Sequence, residues 1–505
     1  MEAASALVAR AWKQARDPSA ALLLTTAVSI IFRLGSNLVL AHLLMPSAFG
    51  VVAITTLIAT ALSMLSDTGV WVSIVRKGDK IDRDWLDQLW TLQAVRGVSL
   101  WLIALAITPP IARAYGEPQL LWLLPAANLW LIILGFESLQ PFVRNNELRV
   151  GLALKLQLIT QVVGSLISIA GAFLYPSPWA LVGGLIAGAA ASTVMGHVLA
   201  HEPLPRPHIT RPFVREQWKL ASWLMVSTAL GFFGGQIDRL LFPAWFGTTA
   251  FGVYSIALTL ALFPLQLGQR WADGLYMPAV AKLSQQRTRE SERQMRSLCR
   301  TVVIYGGVGS ALLAGVGTPF FHALYPARFA LAGGYIQILA VTVYATFVTY
   351  LHRRTFLYQG MTRLEVGIEA ARLILFLAVL GIALLAACEP SAIEYVGIYA
   401  AVQLAVYAGL LAVGRLKQLV HVRDDLPGHI LFVAIGGAMI LLSEAVERSV
   451  GVWAALLVNG FIGGVIALAT ALRLGLPKLP TEQQALEPPA QDIAAAPEMV
   501  DPVKG

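Results

Sequence analysis

Long apolar runs, each about as long as a helix needs to cross a membrane, follow one another along nearly the whole chain. The hydrocarbon core of a bilayer requires about 20 consecutive apolar residues per crossing helix. These runs leave 57% of the 505 residues hydrophobic and 13% charged, against about 25% charged in a typical soluble domain. We therefore predict an all-α, polytopic membrane protein with no large soluble domain.

Hydrophobicity in a sliding window as long as one membrane crossing predicts fourteen transmembrane helices. The predicted spans are residues 20–43, 49–75, 88–110, 119–142, 153–175, 179–199, 220–243, 250–277, 299–321, 331–352, 365–387, 393–414, 429–446 and 452–472. The predicted organisation is an N-terminal arm (1–19), an N-lobe of six spans (20–199), a linker (200–219), a C-lobe of six spans (220–414), a loop (415–428), two further helices (429–472) and a tail (473–505). The tail is rich in Pro, Ala, Gln and Glu, a composition typical of disorder.

The positions of lysine and arginine test this count, because basic residues concentrate in cytoplasmic loops. With the N-terminus inside, 29 of the 37 basic residues fall in the arm, inner loops and tail, and only Arg113, Arg328 and Arg448 fall in outer loops. One missed helix would invert the pattern downstream. The distribution thus supports fourteen spans with both termini in the cytoplasm. The net charge of +8 is then a topology signal, and no nucleic-acid partner is expected.

A short motif recurs about 200 residues apart. Ala48-Phe49-Gly50-Val51 reappears as Ala250-Phe251-Gly252-Val253, each time after a turn that joins two apolar spans. Each predicted half has six crossings, so both halves begin on the same side of the membrane and form a parallel repeat. We predict two pseudo-symmetric six-helix lobes that face each other across a central cavity, plus two extra C-terminal helices.

Several polar and charged residues lie within the predicted spans, where charge is costly unless it faces a watery cavity or a partner. On three of the spans these residues are spaced so that they share one face of the helix: Ser29, Arg33 and Asn37 on the first, Gln236 and Arg239 on the seventh, and Gln266, Arg270 and Asp273 on the eighth. The third span contains Arg96, and the fifth contains Gln157 and Gln161. Arg33 and Arg96 have no acidic neighbour on their own helix. Because guanidinium groups suit phosphate oxygens, the candidate residues for binding an anionic cargo are Arg33, Asn37, Arg96, Gln236, Arg239, Gln266 and Arg270.

Structural roles remain open for some of these groups. Glu369 and Arg372, three residues apart, are expected to neutralise each other, and Arg270 with Asp273 is either a similar pair or part of a cavity. Gly184 and Gly188 are expected to serve helix packing. The carboxylates of Asp67, Asp238 and Asp273 fall within predicted spans and are candidates for coupling to an ion, or else pair with arginines.

No signature of an enzyme, cofactor or metal site is found. The chain lacks a Gly-x-x-x-x-Gly-Lys phosphate loop, and no His, Cys or Asp cluster has metal-ligand spacing. His201 and His208 lie in the proline-rich linker and are predicted to be solvated. Cys299 and Cys388 are predicted near opposite membrane faces, too far apart for a disulfide.

The first turn, Leu40-Ala41-His42-Leu43-Leu44-Met45-Pro46-Ser47-Ala48-Phe49-Gly50, and Ser66-Asp67-Thr68-Gly69 resemble motifs of the polysaccharide-transport family. These are lipid-linked oligosaccharide flippases of the multidrug/oligosaccharidyl-lipid/polysaccharide exporter superfamily. His42 stands where the family often has Arg. The resemblance implies a V-shaped cavity, an undecaprenyl-diphosphate-linked oligosaccharide as cargo, contact with membrane lipids, and polysaccharide polymerase and export machinery as partners.

In the related peptidoglycan-precursor flippases, cavity arginines engage the diphosphate and the last two helices form a groove for the lipid tail. Arg33 and Arg270 are the residues of similar kind and depth here.

Other functions remain open on the sequence. A peptidoglycan-precursor flippase would also have fourteen helices. A multidrug cation antiporter usually has twelve helices and an acidic cavity, whereas five arginines lie within the spans here. A membrane glycan polymerase or ligase would need room for an acceptor site, and the predicted outer loops are short.

Overall fold

The computed structural model describes residues 18–66, 69–146, 151–201, 203–273, 289–358, 362–386, 389–416 and 422–474. Within these residues the regular elements are helices, with no strand. The α-helices are α1 (Pro18–Leu43), α2 (Pro46–Leu65), α3 (Val70–Lys77), α4 (Arg83–Ala114), α5 (Leu120–Ala127), α6 (Leu129–Gly135), α7 (Gln140–Asn146), α8 (Gly151–Leu174), α9 (Pro178–Ala200), α10 (Arg211–Trp271), α11 (Arg289–Leu324), α12 (Leu331–Tyr358), α13 (Thr362–Leu385), α14 (Ala392–Leu416), α15 (Val422–Ser449) and α16 (Val452–Leu474).

The predicted all-α membrane architecture is confirmed. Among the described residues, eleven helices are long and apolar enough to cross a membrane, and two shorter apolar helices cover Ile31–Leu43 and Leu120–Gly135. One of the eleven, Leu224–Arg270, is 47 residues long and covers two predicted spans. Fourteen crossings remain a prediction.

The long helix α10 folds back on itself at Gly247. This glycine has φ 77° and ψ 171°, a conformation outside the helical range. The Tyr254 hydroxyl donates to Asp238 Oδ2 over 2.6 Å, although sixteen residues of straight helix would separate the two by about 24 Å. Gly247 therefore divides α10 into two antiparallel arms, at the turn that the sequence predicts.

The two copies of the repeated motif pack directly on each other. A Cβ atom added to Gly50 would lie 1.8 Å from the carbonyl oxygen of Thr248, and one added to Gly252 would lie 1.8 Å from the carbonyl oxygen of Pro46. Each glycine thus contacts the residue that lies four positions before the other glycine. This reciprocal contact is what a two-fold relation between the lobes requires, and it explains why both positions are glycine. We call the side of the molecule where these turns meet the elbow face.

Hydrogen bonds also join the lobes at the elbow face. Arg328, between α11 and α12, donates from Nη2 to the carbonyl oxygens of Ala41 and His42 at 2.7 and 2.9 Å. The Thr248 hydroxyl donates to Glu117 Oε2 over 3.1 Å. Because the last carbonyls of a helix have no partner within it, Arg328 satisfies the end of α1. The elbow face is closed.

The linker before α10 contacts the N-lobe through His208, whose side chain is 39% exposed, in keeping with the predicted solvation. His208 Nε2 lies 2.9 Å from Asp84 Oδ1, and the Thr210 hydroxyl donates to Gln88 Oε1 over 2.7 Å. The pair remains partly exposed, so its contribution is small. The sequence did not indicate this contact, because the two partners in each hydrogen bond lie more than 120 residues apart in the chain.

The predicted packing role of the α9 glycines is confirmed. A Cβ atom on Gly184 would lie 1.9 Å from Ser168 Oγ, and one on Gly188 would lie 2.7 Å from the carbonyl oxygen of Thr160. Small residues let α8 and α9 approach closely, as is usual between membrane helices.

Candidate functional site

A polar cavity of about 260 Å³ lies between the two lobes. Its walls come from α1, α8 and the second arm of α10. The lining residues are Ser29, Arg33, Gln157, Gln161, Gln266, Gln269, Arg270 and Asp273. All eight side chains are polar or charged, and each of the three helices contributes them at one-face spacing. In an apolar membrane protein such a cavity is a candidate path for a polar cargo.

Arg33 connects the lobes across this cavity. Its Nη2 donates to Gln266 Oε1 over 3.0 Å, which joins α1 of the N-lobe to α10. Within the described part of the chain, the buried Nε of Arg33 has no hydrogen-bond partner. A buried donor without a partner costs free energy, and an anion entering the cavity would supply the missing acceptor.

The N-lobe wall is built from amides and hydroxyls. Gln157 Nε2 lies 3.4 Å from Ser29 Oγ, and Gln161 Nε2 donates to Ser165 Oγ over 2.9 Å. Ser165 in turn donates to Ser36 Oγ over 3.1 Å. A glutamine amide carries both donors and acceptors, so this wall can exchange hydrogen bonds with sugar hydroxyl groups.

Asp273 does not neutralise Arg270. No ion pair between the two is found among the described residues; instead Asp273 accepts a hydrogen bond from the Tyr350 hydroxyl and lies 3.7 Å from Arg354 Nη2. The Arg354 guanidinium also lies 4.9 Å from the centre of the Tyr350 ring. Of the two readings left open by the sequence, the structure favours a cavity position for Arg270, whose side chain is exposed.

Arg96 lies away from the cavity lining. Its Nη2 donates to the Ser63 carbonyl oxygen over 2.7 Å, and its Nε donates to Ser66 Oγ over 3.2 Å. These groups lie at the carboxyl end of α2, where carbonyls lack intrahelical partners and a cation is favourable. The guanidinium thus stabilises a helix end, which spacing along its own helix could not indicate.

The remaining candidate residues lie outside the cavity lining that the structure describes. Asp238 is buried on the first arm of α10, with Oδ2 bound to Tyr254 and its carbonyl oxygen bound to the Tyr395 hydroxyl over 2.9 Å. Arg239 interacts electrostatically with Asp238. The cavity lining, as far as the structure describes it, does not include Asn37, Gln236, Arg239 or Asp238. Asp67 lies outside the described residues.

Glu369 forms the predicted structural pair. Its Oε2 lies 2.8 Å from Arg372 Nη1, and its Oε1 contacts Arg353 of α12. Both Glu369 and Arg372 are buried. A carboxylate held by two guanidinium groups stabilises the packing of α12 on α13, because removing either partner would leave a buried charge.

Three residues near the cavity were missed as candidates. Gln269 is three residues from Gln266 and four from Asp273, so helical spacing alone could have added it. Arg354 lies beyond the predicted span end at 352, because α12 extends to Tyr358. Tyr350 lies within that span, and only tertiary packing brings it and Arg354 to Asp273.

An apolar groove of about 260 Å³ lies between the last two helices. Its lining residues are Ala434, Ile435, Ala438, Met439, Leu442, Ile462 and Ile466. Two of the exposed side chains on these helices are Leu457 (71%) and Phe461 (75%), as expected of surfaces that face lipid.

Known proteins share this architecture. Over 89% of the chain and 97% of the other, the structure resembles a lipid II flippase, MurJ, in an inward closed conformation, with a TM-score of 0.68 and 11% identity. Over 81% of the chain and 96% of the other, it resembles a multidrug resistance MATE family transporter of the MOP superfamily in an inward-facing conformation, with a TM-score of 0.60 and 11% identity. At these identities the likeness establishes the fold alone.

Sequence comparison adds the family. The succinoglycan biosynthesis transport protein ExoT of Rhizobium meliloti (strain 1021) is 23% identical over 320 residues, which are 62% of this chain and 64% of the length of that relative. The family model described as "Polysaccharide biosynthesis protein" matches residues 39–315. Since this match covers more than half of the 505 residues, the chain belongs to the polysaccharide biosynthesis protein family.

Proposed function

We propose that this protein is a flippase that moves undecaprenyl-diphosphate-linked oligosaccharide repeat units from the cytoplasmic to the outer leaflet of the bacterial cytoplasmic membrane. The observation that carries the proposal is the inter-lobe cavity, in which Arg33 and Arg270 lie on walls otherwise made of glutamine and serine. The arginines suit a diphosphate, and the amides suit sugars. The name of the ExoT relative supports a role in exopolysaccharide synthesis. Capsule and O-antigen assembly are the alternative pathways for the same kind of cargo.

The charge of the cavity favours an anionic cargo over the cation of a multidrug antiporter. Its lining has two arginines and one carboxylate, and that carboxylate is already bonded to Tyr350 and close to Arg354. A cationic drug would meet a lining of net positive charge, which is costly where water is scarce. The apolar groove between α15 and α16 is a suitable place for part of the lipid tail.

The closed elbow face and the cavity between the lobes support alternating access as the mechanism. The lobes would separate at the elbow face and approach at the other, so that the cavity opens to the two sides in turn. Polysaccharide polymerase and export machinery would take the cargo after release. The chain acts without cofactor or catalysis in this scheme.

The function is tested by the lipid that accumulates without the protein. In cells lacking the gene, we expect oligosaccharide repeat units linked to undecaprenyl diphosphate to accumulate on the cytoplasmic side, and a plasmid copy to restore export. Accumulation of peptidoglycan precursor instead would assign the protein to the peptidoglycan pathway. Unchanged lipid-linked glycans with altered drug sensitivity would identify a multidrug exporter.

The direction of transport requires that the elbow face is outside the cell. Single cysteines at Thr249, on the elbow face, and at Arg206, in the linker, would replace exposed side chains in a variant whose Cys299 and Cys388 are serine. A membrane-impermeant maleimide added to intact cells should label position 249 and spare 206. The reverse pattern would contradict the topology.

The candidates for coupling to an ion are Asp67, Asp238 and Asp273, and the alternative is that each only pairs with an arginine or a helix end. Exchange of each for Asn keeps the shape and removes the charge. One of the variants should still bind the lipid-linked glycan but transport it without dependence on the ion gradient, as measured in proteoliposomes. If all three remain dependent on the gradient, the carboxylates are not the coupling groups. The membrane potential, worth about 2.3 kcal/mol per charge per 100 mV, could then drive the anionic cargo.

A further inference from the structure

A small hydrophobic core, separate from the main one, joins α3 to the first turns of α4 and α10. Its buried residues are Ile74, Trp85, Leu89, Leu139 and Phe213. The rings of Trp85 and Phe213 meet edge to face, with centroids 6.2 Å apart. The three helix segments therefore form one packed unit, which we call the basal platform (residues 70–89 and 211–219).

The basal platform lies at the level of the lipid headgroups. The Ser73 hydroxyl of α3 donates to Gln217 Oε1 of α10 over 2.7 Å, between two buried side chains. Gln217 precedes Leu224, where the apolar span of α10 begins, by about 10 Å of helix. The interfacial layer beside the hydrocarbon is about 5–8 Å thick. The platform thus lies at the membrane surface, at the end of the first arm of α10 that is remote from Gly247.

The outward side of α3 combines apolar and basic side chains. Ser73 and Ile74 are buried, whereas Trp71 (41%) and Val75 (45%) are exposed and lie four residues apart on one face. Arg76 is exposed as well. Tryptophan is enriched at the membrane interface, and a helix with an exposed apolar face beside basic residues is typical of a segment that lies in this interface.

The first turns of α10 repeat this pattern. Phe213 and Gln217 face the platform, while Val214 (38%) and Trp218 (62%) are exposed on the adjoining face. Beside them runs a line of exposed basic residues spaced four apart, which we call the basic ridge: Arg211, Arg215 and Lys219. Eight residues of helix cover about 12 Å, so three cations in a row border an exposed tryptophan.

The acidic residues of the platform lie mainly away from the basic ridge. The platform contains seven basic and five acidic residues. Asp82 accepts a hydrogen bond from the backbone nitrogen of Trp85 over 2.8 Å, as an N-cap of α4, and Asp84 lies 2.9 Å from His208. Within 211–219 the sequence has three basic residues and one acidic residue, Glu216. Positive charge is therefore concentrated on the ridge.

The sequence analysis did not indicate this surface. It placed residues 70–75 at the end of the second span and 211–219 in the linker, so the two segments had no predicted relation. Gly69, with φ 65°, separates α3 from the preceding chain, a conformation that glycine adopts without steric cost. The packing of α3 on α10 then turns both amphipathic segments outward together.

We propose that the basal platform binds the headgroups of anionic phospholipids, with the basic ridge on their phosphates and Trp71 and Trp218 among the headgroups. Guanidinium groups suit phosphate oxygens, and basic clusters next to a membrane span attract anionic lipids. This binding would hold the N-lobe and the base of α10 at the membrane surface. The surface lies outside the cavity, so the proposal does not depend on the cargo.

The test is native mass spectrometry of the full-length protein in detergent, with increasing amounts of phosphatidylglycerol or, for comparison, phosphatidylcholine, which has no net charge. The wild type should bind phosphatidylglycerol more tightly. A basic residue near an anionic surface contributes about a five-fold gain in affinity. The double variant Arg211→Gln/Arg215→Gln should therefore bind phosphatidylglycerol about 25-fold more weakly and bind phosphatidylcholine as before.

The double variant Arg293→Gln/Arg300→Gln is the matched control. It removes the same two charges from exposed arginines of α11, where the exposed side chains of Gln294 and Ser297 are polar. This variant should bind phosphatidylglycerol like the wild type. Equal weakening in both double variants would show that net charge alone matters and would refute the proposal, as would unchanged binding by Arg211→Gln/Arg215→Gln.

Single variants keep the proposal testable if the platform double variant does not accumulate. Arg211→Gln and Arg215→Gln should each weaken phosphatidylglycerol binding about five-fold, and wild-type affinity in both would overturn the assignment. No lipid-linked glycan is present in these measurements, so their outcome is separate from that of the proposed function.

Discussion

Alanine in place of Gly252 should abolish glycan export, because the lobes could no longer meet at the elbow face. The added Cβ would lie 1.8 Å from the carbonyl oxygen of Pro46 and 3.0 Å from the backbone nitrogen of Gly50. Both atoms belong to backbone and cannot rotate away. Overpacking of a well-packed contact costs about 1–3 kcal/mol, occasionally more, and a backbone clash belongs at the upper end. A cost of about 3 kcal/mol would shift the balance between closed and open elbow faces by roughly 100-fold.

The mirror variant and a control on the same helix make this test specific. Gly50→Ala should cause the same loss, since its Cβ would lie 1.8 Å from the Thr248 carbonyl oxygen. Gly235→Ala, on the first arm of α10, should export normally because nothing lies within 4 Å of its added Cβ. Export and membrane abundance would be measured together in cells. Normal export by Gly252→Ala at normal abundance would show that the closed elbow face is not needed for transport.

Removal of the cavity arginines is the second change with a large expected effect. If Arg33 and Arg270 bind the diphosphate, Arg270→Ala should lose export while the protein remains in the membrane at its usual amount. A hydrogen bond to a charged group contributes about 1.5–3 kcal/mol, so each alanine variant should bind lipid-linked glycan roughly 10- to 100-fold more weakly. Lysine should restore only part of this, because it lacks the planar guanidinium fork.

Arg448 provides the matched control. Its side chain is 80% exposed and lies 3.1 Å from Glu444 on its own helix, a surface pair of small energetic value. Arg448→Ala should therefore bind and export like the wild type. Full binding by both Arg33→Ala and Arg270→Ala would remove these residues from the cargo site and direct the search for the diphosphate to other parts of the cavity.

The architecture was predictable because its causes are local. A backbone in hydrocarbon must satisfy its own hydrogen bonds, so each apolar run of sufficient length is expected to be a helix. The predicted spans begin and end within three residues of α1, α8, α9, α13, α14 and α16. The recurrence of Ala-Phe-Gly-Val likewise identified the turns at which the two lobes meet.

The cavity was only partly predictable. Helical spacing correctly grouped Gln266, Arg270 and Asp273 on one face of α10, and it placed Arg33 on a polar face of α1. It could not separate Arg33 from Arg96, because both are lone arginines in apolar spans. The difference lies in their neighbours: Arg33 meets Gln266 of the other lobe, whereas Arg96 meets the end of α2.

The sequence by itself determined the helical membrane fold, the two-lobe repeat and the polar faces, since hydrophobic length, charge bias and periodicity are properties of each segment alone. Tertiary structure decided which polar faces meet. It brought Tyr350 and Arg354 to Asp273, joined Ser73 to Gln217, and set Gly50 against the backbone before Gly252. Those pairings depend on how helices far apart in the chain pack, and the free energy of packing is shared among many contacts that no single segment encodes.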